Sequence, residues 1–354
     1  MLSNVYRLSF SALIVFAFTI VFAPSAQAAL LTFSASDSSQ TFNSPTIKVT
    51  ERGARGDGLT DDTAAIQAAV DEVAGTGGTV LITDGIYMVD TLVSIRLKSD
   101  MTLQMSSGAE LKAIPNGAAL YAIVRIGSAS NVTLVGGTIT GDRYQHTSTA
   151  GEWGMGVWIE DAHNILIEGV TARDCWGDGF YQHGGAPQST NITLSGVVAD
   201  NNRRQGISIE NVNGMLIQDS VFKNTAGTDP QAGICIEPYA ADQVAENIHI
   251  INSEVIDNDF FGIHMYGHFG DINNVVIEKN LISGNGYSGI GLTATGEHQI
   301  IENTIINDEY SILFIDGSSG NIIRKNTFNS PYAFHGDNGT SILSENTCPD
   351  NLCN

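Results

Sequence analysis

The sequence predicts an all-β protein, a right-handed parallel β-helix with an amino-terminal capping helix. From residue 156 a glycine followed by an apolar residue recurs every 23 to 29 residues, and Asn-led β-branched runs interleave with it. No helical pattern separates these runs. Short strands repeated turn after turn define a solenoid, whereas a βαβ sheet would need crossover helices.

The chain opens on an apolar leader. Arg7 is the single charge in the first 28 residues, Leu8 to about Ala23 is apolar, and "PSAQA" ends in a small-x-small pattern. This reads as a signal peptide cleaved after Ala28, which makes the mature protein secreted or periplasmic. The run is short for a membrane span, and no later segment is apolar enough to be one. Residues 29–354 are therefore expected to form a single β-helix domain.

Within that domain "GDGLTDDTAAIQAAVDEVAGTGG" carries capping acids at Asp61 and Asp62, one apolar face of Ile66, Val70 and Val73, and a terminating Gly75. A helix over about 62–74 follows. It is expected to cover the open end of a coil running from about 79 to 340, where strand edges would otherwise be bare.

Charge excludes some partners. The chain has 16 Lys+Arg against 38 Asp+Glu, a net charge of −22, so it repels nucleic acid and anionic membranes. An anionic substrate would need a local cluster of cations or a bound metal ion. No Cys/His spacing matches a zinc site and no Gly-Gly-x-Gly-x-Asp calcium repeat occurs. Scattered acids leave Ca²⁺ as the one cofactor to consider. Cys348 and Cys353 are expected to close a small disulfide loop. Cys175 and Cys235 lie two turns apart, roughly 9.6 Å by strand spacing, beyond disulfide reach.

Aligning the turns on the repeated glycine separates two faces. The residues one and three places on are Val157/Ile159, Phe180/Gln182, Ile207/Ile209, Ile234/Ile236, Ile263/Met265 and Ile290/Leu292. All but Gln182 are apolar, so this register points inward. The residues two and four places on point outward: Trp158/Glu160, Tyr181/His183, Ser208/Glu210, Cys235/Glu237, His264/Tyr266 and Gly291/Thr293. Turns stack about 4.8 Å apart, so aromatic, imidazole and carboxylate groups line one groove within turns at about 140–295. Asp178, Arg203 and Arg204 lie at the mouth of the same strands. Solvated β faces favour Thr, Ser and Lys, whereas Trp158, Tyr181, His264 and Tyr266 suit stacking on sugar rings.

The segment "VTERGARGDGLTDDTAAIQAAVDEVAGTGGTVLITDGIYMV" (residues 49–89) resembles the opening of the pectate-lyase-like β-helix superfamily, which includes rhamnogalacturonases, tailspike depolymerases and mannuronan C5-epimerases. "LVGGTITGDRYQHTSTAGEWGMG" (134–156), "GDGFYQHGG" and "GISIE" are similar to the epimerase catalytic module. The resemblance implies that His183 is the family histidine and Glu210 its following acid. Asp178 stands where the family has tyrosine, and Tyr181 where it has aspartate. No lysine occurs near Thr149–Gly151, so Arg203 or Arg204 takes the part of the family's carboxylate neutraliser.

Together these readings lead to the expectation of a carbohydrate-active enzyme on an anionic, uronate-containing polysaccharide, working by C5 proton abstraction as a lyase or epimerase. Asp178, Tyr181, His183 and Glu210 are the expected catalytic set. Trp158, Arg203, Arg204, Glu237, His264 and Tyr266 are the expected substrate contacts. The rival is a hydrolase using paired carboxylates from Asp178, Glu210 and Glu237. A third reading is a non-catalytic polysaccharide-binding solenoid.

Overall fold

A computed structural model describes residues 44–337, 339–349 and 353. The expected signal peptide lies outside the described residues. Each regular turn holds three strands, as in Phe180–Gln182, Ser189–Ser195 and Val198–Asp200. They stack into three parallel ladders. The glycine-led and Asn-led ladders share the 16-residue strands Leu120–Val135 and Trp153–Glu168, so they form one sheet of 20 described strands. The third ladder is a separate sheet of 11 described strands. The protein is a parallel β-helix.

The glycine alignment gives the register of the first ladder. Phe180 pairs with Ile207, Ile207 with Ile234, Ile234 with Ile263 and Ile263 with Ile290. The inward residues of these rungs join one continuous apolar core. The coil starts earlier than expected. Thr46–Lys48 pairs with Gly78–Ile82, and Asp57–Asp61 pairs with Gly85–Val89. These strands are too short and polar to show as alternation. At the other end Ile342–Ser344 closes the second ladder, and Cys348 and Cys353 form the expected disulfide. Cys175 and Cys235 are free and buried.

Helix α1, Thr63–Val73, buries Ile66, Val70 and Val73 and packs against the first strands. Its two acids divide their work. Asp61 accepts the Thr63 N–H at 3.0 Å, whereas Asp62 turns away to the Arg55 and Gly56 N–H groups at 2.7 and 3.0 Å.

The Asn-led motif marks a corner. Asn131, Asn164, Asn191, Asn247 and Asn274 all have φ between 49 and 58°, a left-handed conformation that asparagine tolerates. In the turn at 213 the register pairs Thr190 with Asn213 and Ile192 with Met215. Gly214, φ 83°, therefore occupies the corner there, one residue later than the motif suggests.

Inside the coil a second column of side chains ties turns together. Asn258 Nδ2 donates to Phe222 O and Asn285 Oδ1, and Asn285 Nδ2 donates to Val255 O and Asp308 Oδ1. Asp308 ends this column with Oδ2 buried and unpartnered, and burial pushes its carboxyl up to about 7. An asparagine there would donate to the next carbonyl, that of Ile282. A carboxyl raised from 3.8 in the folded state stabilises fully below the unfolded value, and its contribution is lost as pH climbs toward 7. Asp308→Asn is expected to raise stability to chemical denaturation by about 1–3 kcal/mol at pH 8, with the gain shrinking toward pH 4. A loss at pH 8, or a gain equal at both pH values, would contradict this.

Candidate active site

The outward register builds a column in which Trp158 pairs with Tyr181, Tyr181 with Ser208, Ser208 with Cys235 and Cys235 with His264. At its centre the Tyr181 hydroxyl donates to Glu210 Oε1 at 2.7 Å and lies 2.9 Å from His183 Nδ1. The phenol has one proton, and Glu210 receives it. With Nδ1 donating to the phenol oxygen, the neutral imidazole carries its lone pair at Nε2. His183 Nε2 lies 3.7 Å from Glu160 Oε1, and its side chain is half-buried. Burial, with the Glu210 charge second, holds the Tyr181 phenol far above its ordinary range. Tyr181 is thus a proton donor at rest.

The sequence provides the support for this trio. Glu210 Oε2 accepts the Gly184 N–H at 2.6 Å. Gln182, the one polar side chain in the inward register, accepts the N–H groups of Glu210 and Asn211 at 3.0 and 2.9 Å. Its Nε2 donates to the carbonyls of His183 and Asn211. A buried amide in an apolar layer is tolerated only when fully paired, and this one fixes the backbone on both sides of the trio. Trp158 packs edge-on to Tyr181 and tilted to His183, with centroids 4.8 and 4.9 Å away. Its indole N–H donates to Glu160 Oε2 at 3.1 Å.

Beside the trio Arg204 gathers carboxylates. It donates from Nη1 to Asp178 Oδ2 at 3.3 Å and to Ser208 Oγ at 3.1 Å, and from Nη2 to Glu237 Oε1 at 3.1 Å. Glu152 lies 3.9 Å from its Nε. Asp178 is wholly buried and also accepts the Ser208 hydroxyl at 2.5 Å. Burial raises its carboxyl to about 7 although Arg204 opposes the rise. Asp178 therefore holds Arg204 and Ser208 in place and presents no surface to a substrate. Glu237 is shared with Gln205, which donates at 2.6 Å.

The remaining expected contacts are dispersed. Arg203 stacks on Trp176 at 3.8 Å and donates to the carbonyls of Gly151 and Trp176. His264 stacks on Phe261 at 4.1 Å and faces Thr293 Oγ1 at 3.0 Å, and burial drops its imidazole to about 4. With Tyr266, Glu237, Asp229 and Pro230 it lines a pocket of about 230 Å³. Among the described residues no group of three or more His, Cys, Asp or Glu side chains is placed to hold a metal ion.

Two cations escape the glycine alignment. The same column continues upstream from Trp158 to Arg125 and from Arg125 to Arg96. Arg125 lies over the Trp158 ring at 4.5 Å. Its strand has no leading glycine, and only the spacing of "IVRIG" back from "VWIEDA" marks it. A second missed feature is His146, buried between Tyr121 and Trp176 and bonded to Asp142 at 3.1 Å, where it pins the 141–153 segment.

The outer face of the first ladder thus brings an acid, a phenol and an imidazole into mutual contact on a parallel β-helix. The chain belongs to the rhamnogalacturonase A/epimerase, pectate lyase-like family, whose model matches residues 46–255. A model of periplasmic copper-binding protein (NosD) matches residues 180–347. Mannuronan C5-epimerase AlgE4 of Azotobacter vinelandii is 29% identical over 195 residues, covering 50% of this chain and 33% of the epimerase. The chain thus spans a third of that relative. The A-module of the same epimerase superposes with a TM-score of 0.66 at 22% identity, over 85% of this chain and 95% of the module. An exopolygalacturonase from Thermotoga maritima gives 0.67 at 16% identity, over 86% and 87%. PfbA, a surface adhesin of Streptococcus pneumoniae, gives 0.61 at 16% identity, over 86% and 90%. All three structural likenesses are of fold.

Proposed function

We propose that this chain is an extracytoplasmic enzyme that abstracts the C5 proton of a uronate residue in a polysaccharide. The observation that carries the reading is the Tyr181 hydroxyl held between His183 Nδ1 and Glu210 Oε1. The sequence similarity to mannuronan C5-epimerases supports the same substrate class.

In this reading His183 Nε2 takes the C5 proton and the bond pair moves toward the uronate carboxyl. The Tyr181 proton then has two destinations. If it reaches C5 on the opposite face, the product is the epimer. If the C5 electrons instead form a C4=C5 double bond and the C4–O bond breaks, the leaving oxygen takes the proton and the chain is cut. Either way Glu210 orients the phenol, His183 passes its Nδ1 proton to the phenolate, and proton exchange with water returns the imidazole to its Nδ1–H form. Arg125, half-exposed two rungs upstream of Tyr181, supplies positive charge for a uronate carboxylate. Arg204 already serves Asp178 and Glu237 and is the poorer neutraliser.

The paired-carboxylate hydrolase draws on one feature, the Asp178 carboxyl near 7, but a general acid must touch the glycosidic oxygen and Asp178 is enclosed. The test is incubation with polymannuronate, polyguluronate and polygalacturonate, following ultraviolet absorbance of unsaturated uronate, new reducing ends and, by proton NMR, the epimer content of the polymer. Unsaturation, or epimerised residues without cleavage, is the expected outcome. New reducing ends without either would favour hydrolysis.

A further inference from the structure

Charge is divided along the outward column. Arg96 and Arg125 precede Trp158 and Tyr181, whereas Ser208, Cys235 and His264 follow. Neither Arg96 nor Arg125 has a carboxylate within ion-pair distance among the described residues. Gly127, two residues on from Arg125, has open space where a Cβ would stand. Downstream the cation is occupied, because Arg204 already binds Asp178, Ser208 and Glu237. No Lys or Arg lines the pocket of about 230 Å³ formed by Asp229, Pro230, Glu237, His264 and Tyr266. Its rungs, those of Cys235 and His264, lie two and three beyond Tyr181, roughly 10–14 Å by strand spacing.

The polar atoms of this pocket are mostly acceptors. Glu237 gives Oε1 to Arg204 and Gln205, which leaves Oε2. The exposed Asp229 gives Oδ1 to Gln231 Nε2 at 3.1 Å, which leaves Oδ2. The hydroxyl of the half-buried Tyr266 has no partner among the described residues. His264 brings no charge, since burial drops its imidazole to about 4. Its Nε2 is taken up by Thr293 Oγ1 at 3.0 Å, and Nδ1 faces Cys235 Sγ at 3.9 Å. Its ring rests on Phe261, which joins Cys235 and Leu313 in a buried apolar cluster on this face.

A uronate here would set its carboxylate beside two others, with no cation in the lining to answer it. A neutral pyranose would instead donate hydroxyls to both carboxylates, and such charge-assisted bonds are the strong ones. Drug-sized ligands fill roughly 300–1,000 Å³, so a pocket of about 230 Å³ suits a single ring. We infer that the pocket of Asp229, Glu237 and Tyr266 is a subsite for a neutral sugar, and that the polymer mixes uronate with neutral residues, its carboxylates lying toward Arg96 and Arg125. The inference rests on the reading of the groove as a uronate-polysaccharide site and narrows the substrate class from homouronates to mixed polymers.

The test is calorimetric binding in the His183→Ala background, so that turnover plays no part. The probes are hexamer fractions of polymannuronate and polygalacturonate, long enough to span the rungs from Arg125 to His264. Each is used unreduced, with half of its carboxyl groups reduced to primary alcohols, and fully reduced. The half-reduced form of the responsive sugar is expected to bind about fivefold or more tighter than the unreduced form, the factor for removing one like-charge contact near 4 Å in water. Asp229→Asn should tighten the unreduced form by a similar factor and leave the half-reduced form little changed, while Arg125→Ala should weaken both. Unreduced hexamer that binds as tightly as the half-reduced form, or that Asp229→Asn fails to tighten, would overturn the inference and leave the uronate reading intact. Fully reduced hexamer binding tightest, without response to Arg125→Ala, would overturn the uronate reading and keep only the neutral pocket. A parent that binds no form of either sugar overturns both.

Discussion

His183→Ala is expected to lower kcat on the responsive uronate polymer by 10²-fold or more, about the share of a positioned general base, with KM changed far less. Tyr181→Phe should cost a similar factor, because it removes the proton that the trio delivers to C5 or to the leaving oxygen. The two losses should not multiply. Residues that act as one unit lose most of their effect with the first deletion, so the double variant should resemble either single one. Glu210→Gln is the more informative partner. It keeps an oxygen for the Gly184 N–H yet removes the charge that draws the Tyr181 proton, so kcat should fall while folding is preserved. Full activity in both the His183 and Tyr181 variants would remove the trio from the chemistry.

Arg204→Ala is expected to destabilise the fold by about 3–5 kcal/mol, the usual cost of stranding a buried charge. Asp178 has no exposed surface and relies on Arg204 and Ser208. The sequence reading placed Arg204 among the substrate contacts, but in the structure its guanidinium is taken up by Asp178, Ser208 and Glu237. The sign with pH follows from Asp178, whose carboxyl burial pushes up to about 7 from the ordinary 3.8. Its contribution is complete below the unfolded value and is lost as pH rises toward 7, and loss of Arg204 moves that window higher. The variant should therefore be nearer to the parent at pH 5 than at pH 8. Adding Asp178→Asn should recover much of the stability at pH 8, as chemical denaturation would read. An Arg204→Ala protein as stable as the parent at both pH values would contradict this account.

The fold was legible because a solenoid writes its register into its sequence. The glycine before each inward isoleucine gives the rung, and the alternation after it assigns the faces from Trp158 to Thr293. Tyr181, His183 and Glu210 come together because they fall in that outward register on adjacent rungs. What escaped depends on groups that the alternation does not place. Asp178 precedes the repeated glycine and turns beneath Arg204, which no spacing reveals. Arg125 and Arg96 belong to turns without the glycine. His264 was placed in the correct column, but its neighbours Phe260 and Phe261 lie ahead of the repeat, so the sequence could not show that it joins an apolar cluster and not the charged rungs. Asp62 was read as a cap from its position, yet its carboxylate serves the backbone of an earlier turn.

The central claim is that the Tyr181–His183–Glu210 trio removes a C5 proton. The most direct measurement is proton NMR of uronate polymers incubated with the enzyme in D₂O, run in parallel with His183→Ala. The account predicts deuterium at C5 of epimerised residues, or C4=C5 unsaturation at new chain ends, in the parent and neither in the variant. Chain cleavage with every C5 proton retained, or C5 chemistry that persists in His183→Ala, would contradict it.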